Sequence, residues 1–178
     1  MYTFVSGNLA LDFAGTVKGR TTYRDDLLVA PSNLAVWTVS AGLLDDAPDC
    51  DADTLARAVR LREATYRLAL ASARDLPLAD ADRKIVNDAS AGELPRLTLR
   101  SDGTLSRTGG VDSVITAVAR SAAELIGGPE RALIKECGIE ICTRLYVDTS
   151  RGRARRWCDM TLCGNRAKAA GYRIRQAR

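Results

Sequence analysis

Four of the five cysteines fall in the last 42 residues, as two pairs with the same internal spacing: Cys137 with Cys142, and Cys158 with Cys163. Four thiolates at paired spacing suit a tetrahedral Zn2+. The segment around them has too few apolar residues to bury four unrelated thiols, so a metal is expected to hold it together. The chain contains no histidine, which excludes a mixed Cys/His site, a histidine base and a histidine triad. Four thiolates leave no open coordination position, so one structural zinc is expected and not a catalytic one.

The same segment is strongly basic. From Cys137 onward ten Lys/Arg stand against three Asp/Glu, a net +7, whereas residues 1–136 carry 16 basic and 19 acidic residues, a net −3. That asymmetry points to a polyanion partner for the tail alone. Arg151, Arg153, Arg155 and Arg156 lie between the cysteine pairs; Asn165, Arg166, Lys168, Arg173 and Arg175 lie at and beyond the second pair. Arginine forks match phosphates and guanine edges. Asn165 either pairs with an adenine edge or caps a turn.

These groups need elements to position them. Leu145, Tyr146 and Val147 have strand character, residues 148–152 form a turn, and residues 153–157 are expected to return as a hairpin. Residues 161–176 read as a helix capped by Asp159 or Thr161. Cys163 then falls in its first turn, where the helix dipole favours a thiolate. A knuckle, a hairpin and a helix supplying the last ligand resemble a treble-clef arrangement.

Upstream, the body reads as mainly helical. Residues 2–17 fit a strand or a helix, since Phe4, Leu9, Leu11 and Phe13 alternate only in part. Helices are expected from Pro31, capped by Ser32 or Asn33; from Asp53 or Thr54 towards Pro77; over residues 79–91; and from Asp112 or Ser113 to Gly127. Their apolar stripes include Leu34, Trp37 and Leu44; Leu55, Val59, Arg62, Tyr66 and Ala69, widened by Leu61 and Leu68; and Val114, Val118, Ala122 and Leu125. Asp102-Gly103, between Leu97 and Leu105, predicts an antiparallel hairpin. Asn8 and Asp12 either cap backbone or line a ligand pocket, which would also draw on Trp37, Arg62 and Tyr66. Trp37 also reads as a core anchor, and Arg62 either snorkels or reaches an acidic group such as Asp12. Cys50 has no neighbour at metal spacing and is expected to be a plain thiol.

Residues 157–168, W-C-D-M-T-L-C-G-N-R-A-K, resemble the signature of the CGNR zinc finger, as do the upstream C-x4-C and L-Y-V-D-T-S-R at 145–151. L-A-L-D-F-A-G-T-V at 9–17 is similar to the opening of the ABATE domain that precedes this finger. The resemblance implies a bacterial transcription regulator in which the finger binds DNA and the preceding domain senses. The chain departs from that pattern at Gly15, where Asn is expected, and at the apolar Ile139-Glu140-Ile141.

The resulting expectation is an α+β protein. Residues 1–128 would form a mainly helical sensor or dimerisation domain with a small β-hairpin, and 129–178 a small treble-clef-like zinc module. Its function would be zinc-dependent DNA binding in transcription regulation, in the cytoplasm and not as an enzyme, with DNA, a small ligand and a second copy as partners. RNA binding, or a zinc-stapled protein–protein adaptor, are the alternatives. No apolar run is long enough to span a membrane and no basic leader precedes one. No nucleophile motif supports an enzyme, though a carboxylate reaction at Asp12 stays open.

Overall fold

The computed structural model describes residues 1–176. The open choice at the N-terminus resolves as a helix, α1 (Leu9–Ala14). Asn8 caps it, its Oδ1 accepting from the Ala10 and Leu11 N–H groups at 2.9 and 3.3 Å. A short ribbon follows, β1 (Val17–Lys18) with β2 (Asp25–Asp26). Then come α2 (Pro31–Ser40), α3 (Ala52–Ala73) and α4 (Asp80–Ser90). A second ribbon joins β3 (Arg96–Leu99) to β4 (Leu105–Thr108), with Leu99 opposite Leu105, as Asp102-Gly103 predicts. The long helix α5 (Val111–Gly127) closes the body.

The helix caps differ from the sequence expectation. Asp51 starts α3, two residues before the expected Asp53, because its extended backbone lets Oδ1 accept the Thr54 N–H at 2.7 Å. Asn33 serves α2 from inside the first turn, accepting the Ala30 N–H at 3.0 Å. Neither Asp112 nor Ser113 caps α5. Gly110 takes that position, and the Ser113 hydroxyl donates back to the Gly110 carbonyl at 2.6 Å.

The apolar stripes meet in one core of Phe13, Leu34, Trp37, Leu61, Val114 and Val118 with their neighbours. Phe13 and Trp37 stack tilted at 4.7 Å between centroids. Arg62 lies inside this shell with 0% of its side chain exposed. It grips the Asp26 carboxylate with two 2.7 Å bonds and donates from Nε to Glu63 at 2.9 Å. Thus Arg62 neither snorkels nor reaches Asp12. It ties β2 to α3, and Arg20 joins the group by bonding Glu63 and lying 4.0 Å over the Tyr66 ring.

A second apolar cluster lies below the first. Leu11, Ala69 and Leu125 come from the body; Ile134, Leu145 and Val147 come from a third ribbon, β5 (Ile134–Glu136) with β6 (Leu145–Val147). A 3-10 turn over Pro129–Leu133 leads into β5, so the chain passes Gly127-Gly128-Pro129 without leaving the packed body.

Burial pushes the Asp26 and Glu63 carboxyls up, but hydrogen bonds from Arg62 and Arg20 outweigh it and hold both below the usual carboxylate range. Their stabilising effect is therefore present above the unfolded pKa of about 4 and lost as pH falls through the depressed folded values. Urea unfolding should show this as a falling midpoint in acid. Arg62→Ala should cost about 3 kcal/mol at neutral pH and flatten that dependence. A midpoint unmoved by the substitution would deny Arg62 its role.

Candidate metal centre and nucleic-acid interface

The module is built on the β5–β6 ribbon, and each cysteine is placed by backbone bonds. Cys137 follows β5, its N–H bonded to the Arg144 carbonyl at 3.0 Å. Cys142 closes a tight turn, donating to the Ile139 carbonyl at 2.8 Å. That turn presses on the loop after β6: the Gly138 N–H meets the Arg156 carbonyl at 2.8 Å, and a Cβ on Gly138 would stand 2.9 Å from that same oxygen. Asp159 starts the last element, its carboxylate accepting the Thr161 N–H at 2.7 Å. A π-helical turn over Met160–Gly164 carries Cys163, and α6 (Asn165–Gln176) continues from it.

The four sulfurs lie within 4.8 Å of one another, with Cys142–Cys158 at 3.8 Å and Cys158–Cys163 at 3.7 Å. Zn–S bonds of about 2.3 Å at tetrahedral angles require sulfur separations of about 3.8 Å, so the cage has the right size as well as the right ligands. The crowded thiols move one another's pKa in opposite directions. Hydrogen bonds from the Cys142 and Cys158 thiols hold Cys137 far below the ordinary thiol range. Cys158 is pushed far above it, first by its bonds to Cys137 and Cys142, and Cys163 is raised by burial and by the Cys142 and Cys137 charges. Four neighbouring thiols cannot all ionise without a positive charge among them. Cys50 lies apart from the cage and is free and half-buried.

The hairpin expected between the cysteine pairs is not formed. Leu145–Val147 pairs with Ile134–Glu136 instead, and the stretch expected to return is an irregular loop with a 3-10 turn at Arg151–Arg153. Asp148 organises that loop from a fully buried position. One carboxylate oxygen accepts the Ser150 N–H and hydroxyl at 3.0 and 2.6 Å; the other accepts Lys135 Nζ at 2.6 Å and the Arg155 N–H at 3.1 Å. The Lys135 bond, then the Ser150 bond, hold its carboxyl well below the usual range.

The candidate nucleic-acid contacts divide in two. The Arg155 side chain is turned inward: it lies 4.4 Å over the Tyr146 ring and donates to the carbonyls of Val5, Trp157 and Cys158. This half-buried guanidinium is engaged within the protein, a placement that its neighbours in sequence do not share. Arg151, Arg153 and Arg156 are exposed, Arg156 lying 5.5 Å from the Trp157 ring centre. Arg166, Lys168 and Arg173 are exposed along α6. Asn165 caps a turn, donating to the Thr161 carbonyl at 2.8 Å. The Arg175 side chain lies outside the described residues.

Sequence reasoning missed Arg144, which sits between the second cysteine and β6. Its guanidinium donates to the Thr3 carbonyl and hydroxyl at 3.1 and 2.6 Å and to the Gly15 carbonyl at 3.2 Å, with the Asp12 carboxylate 3.7 Å away. A Cβ on Gly15 would stand 2.7 Å from that guanidinium, so a side chain there would obstruct it. Arg144, Arg155 and the Val147 N–H, which bonds Ser6 O at 2.8 Å, fasten the module to residues 3–6.

The five residues expected to line a ligand pocket are not brought together as one. Asn8 caps α1, Asp12 accepts the Val5 and Ser6 N–H groups, Trp37 is core, Arg62 is ion-paired and Tyr66 carries Arg20. None of them lines the cavity of about 180 Å3 at the seam between body and module, whose walls include Val17, Tyr23, Thr143 and Leu162.

A cage of four thiolates at zinc spacing, closed to further ligands and set on a mainly helical body, defines a protein with a small structural zinc module. Family comparison agrees. Residues 7–129 match the ABATE model, described as "Putative stress-induced transcription regulator", and residues 134–176 match the CGNR zinc finger. The chain belongs to the ABATE family and carries a CGNR zinc finger after that domain. The module takes one structural Zn2+. No curated protein matches the chain. Both families are regulatory or zinc-finger families, and among the described residues no helix is long and apolar enough to cross a membrane.

Metal analysis of the purified chain should give one zinc per chain, lost on Cys163→Ser. Arg155→Ala should destabilise the zinc-loaded protein by about 2 kcal/mol through lost charge-assisted bonds, while Arg156→Ala stays within about 0.5 kcal/mol. Equal effects in thermal unfolding would remove the distinction between these adjacent arginines.

Proposed function

We propose that the chain is a zinc-dependent, DNA-binding transcription regulator of the bacterial cytoplasm, and not an enzyme. The observation that carries this reading is α6. Nearly every described side chain on it is exposed, including Ala169, Ala170 and Tyr172, yet it bears Arg166, Lys168 and Arg173 and no acid. A 12-residue helix is marginal alone in water. This one is anchored at its N-terminal end by Cys163 and projects a basic surface, as a helix that enters a nucleic-acid groove requires. Arg151, Arg153 and Arg156 supply phosphate contacts from the neighbouring loop. Arg155 keeps its structural place. Residues 129–178 then act as the DNA-binding unit and residues 1–128 as the part that controls it.

Selection of bound fragments from a random duplex pool, followed by anisotropy titrations, tests this. Zinc removal should abolish binding. Arg166→Ala with Arg173→Ala should weaken it by tenfold or more, given about 1–3 kcal/mol per lost contact. Each cation removed should also reduce the salt slope by about 0.9. Duplex affinity that survives complete removal of zinc would sink the reading; preference for structured RNA over every duplex would redirect it.

A further inference from the structure

We infer that the cavity at the seam between body and module is a binding site for a small, uncharged, largely apolar molecule of one or two rings. The cavity measures about 180 Å3. An apolar cavity of about 150 Å3 is enough to take up benzene, so the space matches a ring and is too small for a drug-sized ligand. Its walls come from both parts of the chain: Val5, Val17 and Tyr23 from the body, Thr143 from the knuckle, and Leu162 from the turn that leads into α6. Two of these walls are left uncovered, Tyr23 at 56% and Leu162 at 55% exposure. Tyr23 is nonetheless held in place. Gly19 turns the chain at φ +53°, and a Cβ on it would stand 2.5 Å from the Tyr23 ring, so the ring lies against that glycine beside the cavity. A ligand in contact with Tyr23 and Leu162 buries apolar surface that the protein itself leaves open.

Hydrogen bonding and charge decide the class of ligand. The polar groups around the cavity are already engaged. Arg144 donates to Thr3 and Gly15, and Lys18 pairs with Asp25 at 3.4 Å. The Thr143 hydroxyl oxygen accepts the Arg20 N–H at 3.0 Å, and the Asp159 carboxylate holds Thr161. Arg166 also lines the cavity, beside a cage that carries a net −2 once four thiolates surround Zn2+. A carboxylate or phosphate would meet that negative charge with few free donors to offset it. An organic cation would face Arg144, Lys18 and Arg166. An uncharged molecule avoids both conflicts, and ordered water, which needs two to four polar partners, finds few unpaired groups here. The inference goes beyond the nucleic-acid reading and does not depend on it.

Amide NMR titrations of the full zinc-loaded chain with indole, benzoate and benzylamine read the result. Indole should bind with a Kd below about 1 mM and more tightly than either charged probe, and the shifted amides should cluster at residues 17–23, 142–144 and 162–163. Val5→Phe, made at a half-buried wall position, should fill the space and abolish binding. Tyr23→Ala and, separately, Leu162→Ala should each weaken it by about tenfold. Both positions are exposed, so zinc content and melting should stay at the parent values, which confirms that these variants fold. Leu97→Ala, on the exposed β3–β4 ribbon, should leave binding unchanged. A Kd for indole above about 1 mM, tighter binding of benzoate or benzylamine, shifts centred elsewhere, or an affinity untouched by both alanine substitutions would overturn the inference. A chain that takes up indole at this site but binds no duplex would leave it standing and count against the nucleic-acid reading instead.

Discussion

The electrostatic conflict among four thiols within 4.8 Å governs the C-terminal quarter of the chain. Without a cation, ionising one sulfur disfavours ionisation of the next, so the four cannot all carry charge together. With Zn2+ the conflict becomes four bonds, and segments that share little apolar surface are fixed together. The sulfurs come from the end of β5, the knuckle, the loop after β6 and the turn before α6. Few other contacts among the described residues would set the direction of α6.

Arginine performs the complementary task in the interior. Arg62 joins β2 to α3, Arg144 joins the knuckle to residues 3 and 15, and Arg155 joins the loop after β6 to Val5 and Tyr146. All three satisfy carbonyls or carboxylates that would otherwise be stranded away from water, where a lost partner is costly. The planar fork suits this role, since one side chain can reach acceptors on two segments. With only 5% aromatic residues, the chain has few large side chains to bridge its elements, and these arginines take that place.

The long helices were legible because their stripes are periodic: Val114, Ile115, Val118, Ala122, Leu125 and Ile126 are all buried, as spacing predicts. The zinc cage was legible because cysteine identity is itself the chemistry. Short elements were not. Ile134-Lys135-Glu136 is too brief for any period, so the sequence predicts a partner for β6 on its C-terminal side, whereas the strand pairs with β5 before it. Nor does composition distinguish Arg155 from Arg156. Only the Tyr146 ring and the nearby carbonyls turn one inward, and those neighbours lie nine or more residues away or are backbone atoms. The candidate pocket scattered for a related reason. Asn8, Asp12 and Arg62 are polar groups in apolar stretches because backbone and ion-pair partners lie beside them, which sequence alone cannot separate from a ligand.

The seam between body and module has a further consequence. The β5–β6 ribbon shares an apolar cluster with α1, α3 and α5, and residues 3–6 are bonded by Arg144, Arg155 and Val147. The module is therefore not a bead on a flexible linker. A linker lets a binding helix sample many orientations, and spacing then specifies little. A packed seam passes the orientation of the body directly to α6. Any change that shifts α1 or residues 3–6 must either move the zinc module with it or break bonds to its arginines. The same side chains, Arg144 and Arg155, therefore hold residues 3–5 and the loops that bear the cage from which α6 starts.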